Sequence, residues 1–266
     1  MRALEDELGV QLLDRLGRGA TPTRAGQLLL GYARRLLALS REARQAIDHF
    51  QGRVSGELMV GGSTIPGEYV LPAFIGAFRG KYPDVSISLR IGSSRQVMDW
   101  VEAGDVEIGV VGTAPTSRAL EARQLMADDL VLVVPPEHPW ASRQTISIED
   151  VKREPLILRE RGSGSRETLE QALKAVGLEL GAFHVVGDIA STQAVKQAVR
   201  AGLGVSFISA RAVEDECRAR LLGSVKVADL KVTRAFHLIT HRDRSSSPLA
   251  QAFLAFVESQ PTTRPS

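Results

Sequence analysis

The pattern of apolar and polar positions changes character twice along the chain. Over residues 1–13, Leu4, Leu8 and Leu12 recur four apart with Glu5, Asp6 and Glu7 between them, the spacing of a short amphipathic helix. Gly9 and Val10 make a turn, and residues 14–23, rich in Gly, Arg and Thr, read as a short wing. Thr23 then caps a long helix over residues 24–51. Its apolar positions repeat in sevens. Leu29, Leu36, Ala43 and Phe50 form one seam, and Tyr32, Leu39 and Ala46 form its companion. A stripe this regular suits pairing with a second helix. Gly52, Ser55 and Gly56 then break the chain like a linker.

From Glu57 onward, strands alternate with helices. Residues 58–61 read as a strand, followed by a helix carrying Tyr69, Leu71, Phe74, Ile75 and Phe78, with Pro72 early enough to be tolerated. Residues 85–89 alternate as a strand does, Ser93 or Ser94 caps a helix with Val97, Trp100 and Val101, and residues 107–111 form an apolar strand. The alternation resumes with strands at 130–134, 156–158 and 183–186 and helices at 147–151 and 166–175. A further helix opens at Ser191 and Thr192, ends at Gly202 and Gly204, and leads into a buried strand at 205–208. A strand at 235–240 and a helix at 249–257 close the chain. This order predicts an α/β fold with a mostly parallel sheet and helices on both faces. A second lobe begins near residue 136. The crevice between two such lobes lies at the C-terminal strand ends, where helix N-termini also point.

Composition narrows the function classes. A single cysteine, Cys217, rules out an internal disulfide and a cysteine-based zinc cage, and is compatible with the cytoplasm. The opening MRALEDELGV has no signal-peptide core, and no apolar run is long enough to span a membrane. The net charge of +2 is uneven: residues 1–53 hold nine Arg and six acids, and the remainder holds 24 basic and 25 acidic residues. A basic front on a neutral body points to a polyanionic partner. The chain has no GxSxG, phosphate-binding GxxxxGK[ST] or HExxH motif. His49, His138, His184, His237 and His241 are scattered, and Cys217 stands among acids that raise a thiol pKa. No catalytic residue, metal site or cofactor is therefore expected.

Three helix openings carry small hydroxyl residues: Ser63 and Thr64, Gly162 to Ser165, and Ser191 and Thr192. Each reads as a plain cap or turn when taken alone. Together they offer unpaired backbone N–H groups and hydroxyls, which attract anions.

Several stretches, taken in order, resemble the LysR-type transcriptional regulators. RALEDELGVQLLDRLGRGATPTRAGQLLLGYARRLL resembles the end of their winged helix-turn-helix and linker helix. GELMVGGSTIPGEYVLP, FRGKYPDVSISL, VEAGDVEIGVV, DDLVLVVPPEHPWA, LILRERGSGSR and VRAGLGVSFIS continue the resemblance over nearly the whole chain. It implies a partial winged helix-turn-helix (1–23), a linker helix for dimerisation (24–54) and a two-lobed effector domain like periplasmic binding proteins. Lobe 1 is residues 55–135 with 234–260, and lobe 2 is residues 136–233. The implied partners are a small anionic effector, operator DNA for the full-length form, and further copies of the chain as a homodimer or homotetramer.

Such regulators begin with helices that precede RALEDELG, so Met1 is expected to fall inside the recognition helix. Base readout needs the start of that helix. Specific DNA binding by this chain is therefore not expected, although Arg2, Arg15, Arg18 and Thr21 could touch phosphates. The resemblance places the effector among Ser63, Thr64, Ile65, Val110, Gly112, Thr113, Arg159, Ser163, Gly164, Ser165, Arg166, Ser191 and Thr192. The glycine run resembles regulators that sense sulfur or carbon metabolites. The alternative is a solute-binding protein with the same cleft, which the basic, heptad-patterned front disfavours.

Overall fold

The computed structural model describes residues 1–16, 19–50 and 54–260. Arg18 and Gly52 lie outside the described residues, as do the side chains of Arg15 and Ala46. Helix α1 (Arg2–Leu8) ends at Gly9, which takes the left-handed conformation at φ 66° that a residue without Cβ adopts freely. Glu5 Oε1 accepts hydrogen bonds from the amides of Leu12 (2.8 Å) and Leu13 (3.0 Å), fastening α1 to the first strand of the wing. The predicted wing is an antiparallel pair, β1 (Leu13–Leu16) and β2 (Gly19–Pro22).

Thr23 caps the long helix as its sequence predicts: its Oγ1 accepts from the Gly26 amide at 3.0 Å, and α2 runs over Arg24–Phe50. The seam of α2 is bare on the single chain, with Leu36 68%, Leu39 61% and Phe50 91% exposed. One flank of the helix is clamped to the body, where Arg34 Nε lies 2.8 Å from Asp105 Oδ1.

The body begins with β3 (Gly56–Ser63), α3 (Thr64–Tyr69), α4 (Leu71–Lys81), β4 (Val85–Gly92), α5 (Ser94–Ala103) and β5 (Ile108–Val111). The single helix expected after Ser63 is two, broken at Val70 (φ −120°, ψ −58°), with Pro72 in the first turn of α4. Next come β6 (Leu120–Val134), β7 (Thr145–Ile146), α6 (Ile148–Val151), β8 (Pro155–Arg159), α7 (Gly164–Ala175) and β9 (His184–Ile189). The chain finishes with α8 (Thr192–Arg200), β10 (Ser206–Ser209), α9 (Ala210–Arg218), β11 (Gly223–Val227), β12 (Thr233–His241) and α10 (Pro248–Ser259).

The sheet corrects the expectation of mostly parallel pairing. β4, β3 and β5 are parallel neighbours, as are β8 and β9. β12, however, runs antiparallel to both β5 and β6, and β10 and β11 run antiparallel to β6. Strands joined by helical crossovers come out parallel. β6 and β12 instead carry the chain out of one half of the molecule and back, so they run in opposite directions. The first part of β6, residues 120–129, was not legible as a strand because it is rich in charge; its pairing with β12 makes it one.

Burial follows this division only in part, because the first core also takes in Ile157, Val195, Val199 and Ile208 from the second half. Leu58, Val60, Phe78, Phe236 and Phe253 sit in one core, where the Phe78 and Phe253 rings meet edge-on at 5.1 Å. Leu132, Leu156, Leu173, Val205 and Val225 form a second core around β8, β10 and β11. Val97, Val101, Val106 and Ile239 seal α5 onto the other face of the first sheet.

Candidate functional site

Three helices start at the junction between the two halves. Ser63 precedes α3, is 6% exposed and makes no side-chain cap hydrogen bond. Ser93 caps α5 through a reciprocal box: its Oγ accepts from the Gln96 amide at 3.2 Å, and Gln96 Oε1 accepts from the Ser93 amide at 2.9 Å. Ser163 caps α7, accepting from the Arg166 amide at 3.3 Å, after Gly162 at φ 84°. A narrow crevice joins these openings, lined by Ser63, Thr64, Ile65, Pro66, Ser93, Ser94, Arg159, Glu160, Gly162, Ser163, Gly164, Ser165 and Arg234. Each N-terminus presents unpaired amides and a partial positive charge of about half a unit.

Arg234 reaches the crevice from the crossing between the halves. β12 sets it opposite Asp128 of β6 in register. Its Nε donates to Asp128 Oδ2 at 2.9 Å and its Nη1 donates to Ser165 Oγ at 3.3 Å. Nη2 lies 2.9 Å from the same Oδ2 but off the hydrogen-bond direction, which leaves an unspent buried donor. Asp128 is wholly buried and is braced by Ser209, whose Oγ donates to Oδ1 at 2.6 Å. Burial pushes the Asp128 carboxyl up, against the pull of Arg234 and Ser209. It pushes the Arg234 guanidinium down, against the pull of Asp128. The pair is therefore held in place at a solvation cost.

Arg159 lines the crevice with its guanidinium engaged. Nε and Nη2 form a fork with the Glu160 carboxylate at 2.8 and 3.0 Å, Nη2 also donates to Ala190 O at 3.2 Å, and Nη1 donates to Thr192 Oγ1. Gly112 and Thr113 stand just behind the lining: a Cβ on Gly112 would lie 3.2 Å from Arg234 Nη1, and one on Gly164 would lie 3.2 Å from Thr113 Oγ1.

Six of the thirteen positions read from the resemblance do not line the crevice: Gly112 and Thr113, just behind it, and four that lie elsewhere. Val110 is buried in β5, paired with Leu238. Arg166 turns away to Glu170, at 2.9 Å, and to Asp188. Ser191 is exposed and only caps α8, accepting from the Ala194 amide at 3.4 Å. Thr192 is buried and bears on the site through Arg159 alone. The opening at Ser191 falls short because α8 comes after β9, which lies beyond β8 from the crevice.

The third converging opening is instead that of α5. Its signal was in the sequence, a Ser-x-x-Gln box at Ser93 after a strand. Arg234 had no such signal, since it lies within a strand and only the pairing with β6 reveals it.

The remaining reactive groups lie elsewhere. Burial, more than neighbouring Glu216, pushes the Cys217 thiol up. Burial likewise holds the His237 imidazole below its ordinary value. Among the described residues no group of three or more His, Cys, Asp or Glu could hold a metal ion.

Comparison with known proteins agrees with this architecture. The family model described as the LysR substrate binding domain matches residues 51–261. A probable RuBisCO transcriptional regulator of Cyanidium caldarium is 34% identical over 253 residues, 94% of this chain and 80% of the relative. One from Synechocystis is 33% identical over 98% of this chain and 77% of its own length. Among solved structures, the Synechocystis CcmR regulatory domain in complex with 2-PG superposes with TM-score 0.69 and 24% identity, covering 76% of this chain and 96% of that one. Full-length CbnR complexed with its target DNA superposes with TM-score 0.75 and 24% identity, over 97% of this chain and 87% of that one. This chain belongs to the LysR-type transcriptional regulators, not to an enzyme family, and residues 51–261 are its LysR substrate binding domain.

Proposed function

We propose that the crevice between lobe 1 (55–135 with 234–260) and lobe 2 (136–233) receives a small anion, a phosphorylated or carboxylated metabolite or an oxyanion, and that its occupancy adjusts operator binding by the full-length form. The observation that carries this reading is Arg234. A buried guanidinium lines the same crevice as the starts of α3, α5 and α7, and its Nη1 donates to Ser165 Oγ there. Ser63, Thr64, Ile65, Ser163, Gly164 and Ser165 supply amides and hydroxyls, Arg159 lines the crevice with its charge met by Glu160, and Gly112 and Thr113 back the lining. Thr192 acts by positioning Arg159. The CcmR regulatory domain, of the same fold, was solved with 2-PG, a small anion.

The lobes meet where β6 and β12 cross, so an anion held by groups on both sides favours one lobe arrangement over the other. A ligand shifts such an equilibrium only by its differential affinity for the two arrangements. The bare seam of α2 supports a homodimer, or a tetramer built from dimers, through which the shift reaches the DNA-binding heads. Arg2 and Thr21 are exposed on α1 and β2, where they suit phosphate contact. No helix among the described residues is long and apolar enough to cross a membrane. A regulator of this kind works in the cytoplasm, where its operator is.

Calorimetric titration with 2-phosphoglycolate, sulfate and a neutral polyol tests the site. The anions are expected to bind and the polyol is not. Arg234→Gln should weaken binding by about tenfold or more, the worth of one charge-assisted hydrogen bond. Ser63→Ala should weaken it a few-fold. Parent-like binding in both variants overturns the placement.

A further inference from the structure

Outside the crevice lining, a second polar contact joins the two halves. It centres on Lys196 of α8, whose side chain is 4% exposed. A lysine this deep is rare unless its charge is met. Its ammonium has three protons, and three acceptors surround it. Nζ donates to Ala212 O at 2.9 Å and to the Glu216 carboxylate, both on α9. The third partner is the Tyr69 hydroxyl, 3.4 Å away at the end of α3. Burial lowers the ammonium, Glu216 and Tyr69 raise it, and the outcome lies above its ordinary value. The charge is therefore kept at neutral pH.

The first two bonds tie α8 to α9 within one half. The third crosses to the other half, and it lands on an element of the crevice. Helix α3 has six residues: Thr64, Ile65 and Pro66 line the crevice, and Tyr69 is its last. Five steps of 1.5 Å put Tyr69 about 7.5 Å from Thr64 along the helix. Between them, Ile65 shares a core with Val195 and Val199 of α8 and Val213 of α9. Apolar packing has no direction and lets two faces slide. A hydrogen bond from an ammonium already fixed on two sides has direction, so it sets where α3 stands against the second half.

We infer that Lys196 is a positioning residue for the anion site. It does not line the crevice. It holds α3 against α8 and α9, so that Ser63 and Thr64 face the start of α7 at the width a small anion needs. The inference rests on the crevice reading above. In the ligand-free chain this strut keeps the halves together, and the apparent affinity scales with the fraction of chains so arranged.

The test is Tyr69→Phe, which removes one oxygen and keeps the ring. With the halves together, the third N–H of Lys196 then has no acceptor; parting them gives it water. Glu216→Gln is the comparison, since it weakens the network inside one half and leaves the crossing bond. Spin labels at Asp99→Cys on α5 and Lys174→Cys on α7, both exposed, report the separation of the halves by electron–electron double resonance. The chain carries Cys217→Ser and is diluted with unlabelled protein, so that only distances within one chain count. Without ligand, Tyr69→Phe should lengthen and broaden the distances. Glu216→Gln should lower the melting temperature and leave the distances as in the parent. By calorimetry, Tyr69→Phe should bind 2-phosphoglycolate about fivefold more weakly, the worth of one hydrogen bond, and saturation should restore the parent distances. Lys196→Met should widen the distances further, and Tyr69→Phe decides alone should that variant not fold. The inference is overturned if Tyr69→Phe keeps the parent distances, if Glu216→Gln widens them as much, or if Tyr69→Phe matches a parent that binds the anion. A parent that binds no anion overturns the crevice reading instead, and the ligand-free distances still decide whether Lys196 holds the halves together.

Discussion

Replacing Asp128 with alanine should be among the most damaging single changes in the protein. It removes the carboxylate from a guanidinium whose side chain is 7% exposed, and Asp128 itself is at 0%. Arginine cannot shed its proton to escape, so a buried charge is left unpaired. The Ser209 hydroxyl, 2.6 Å from Oδ1, loses its acceptor at the same time. Breaking a buried pair from one side costs about 3–5 kcal/mol, a large part of the roughly 5–15 kcal/mol that holds a domain folded. At roughly 2–4 °C per kcal/mol in a domain of this size, the melting temperature should fall by about 10 °C. Urea unfolding of the parent, Asp128→Ala, Arg234→Met and the double variant gives the coupling directly. The double variant should recover most of the loss, because an apolar replacement of both partners removes the uncompensated charge. A loss below about 1 kcal/mol for Asp128→Ala, or additive losses in the double variant, would refute the reasoning.

The same geometry sets three further outcomes. Arg234→Met takes from Asp128 its hydrogen-bonded cation and leaves only the more distant Arg211, at 4.0 Å, of the two arginines beside it, so its carboxyl, already above the ordinary 3.8, rises further. The folded state then keeps a proton that the unfolded chain releases, and stability falls as pH rises from about 4 toward the raised folded value. The variant should therefore lose less relative to the parent at pH 5 than at pH 8 in thermal melts; equal losses count against it. Gly62→Ala places a Cβ 2.5 Å from Gly67 Cα, which forces β3 and α3 apart. It should cost about 1–3 kcal/mol in urea unfolding and weaken 2-phosphoglycolate binding, because α3 carries Ser63 and Thr64. Leu36→Glu, at a position 68% exposed on the single chain, should change monomer stability by less than about 0.5 kcal/mol. It should turn the proposed dimer into monomer by light scattering, and an unchanged mass would remove α2 as the pairing surface.

Much of this protein was legible in order along the chain, because its cues are local. The heptads of α2, the cap at Thr23, the Ser93 box and the glycine-led opening at Ser163 each lie within a few residues of what they specify. The short apolar strands and the α/β alternation declared themselves in the same way, as did the family resemblance. Local cues could not say which openings face one another. Ser93 and Ser191 look alike in sequence, yet α5 points into the crevice and α8 does not, because β9 sets α8 one strand further out. Nor could they reveal the charged first part of β6, which is a strand because β12 pairs with it. Arg234 and Asp128 are separated by more than a hundred residues of sequence. The two crossing strands place them face to face, and burial turns an ordinary arginine and aspartate into the brace of the crevice.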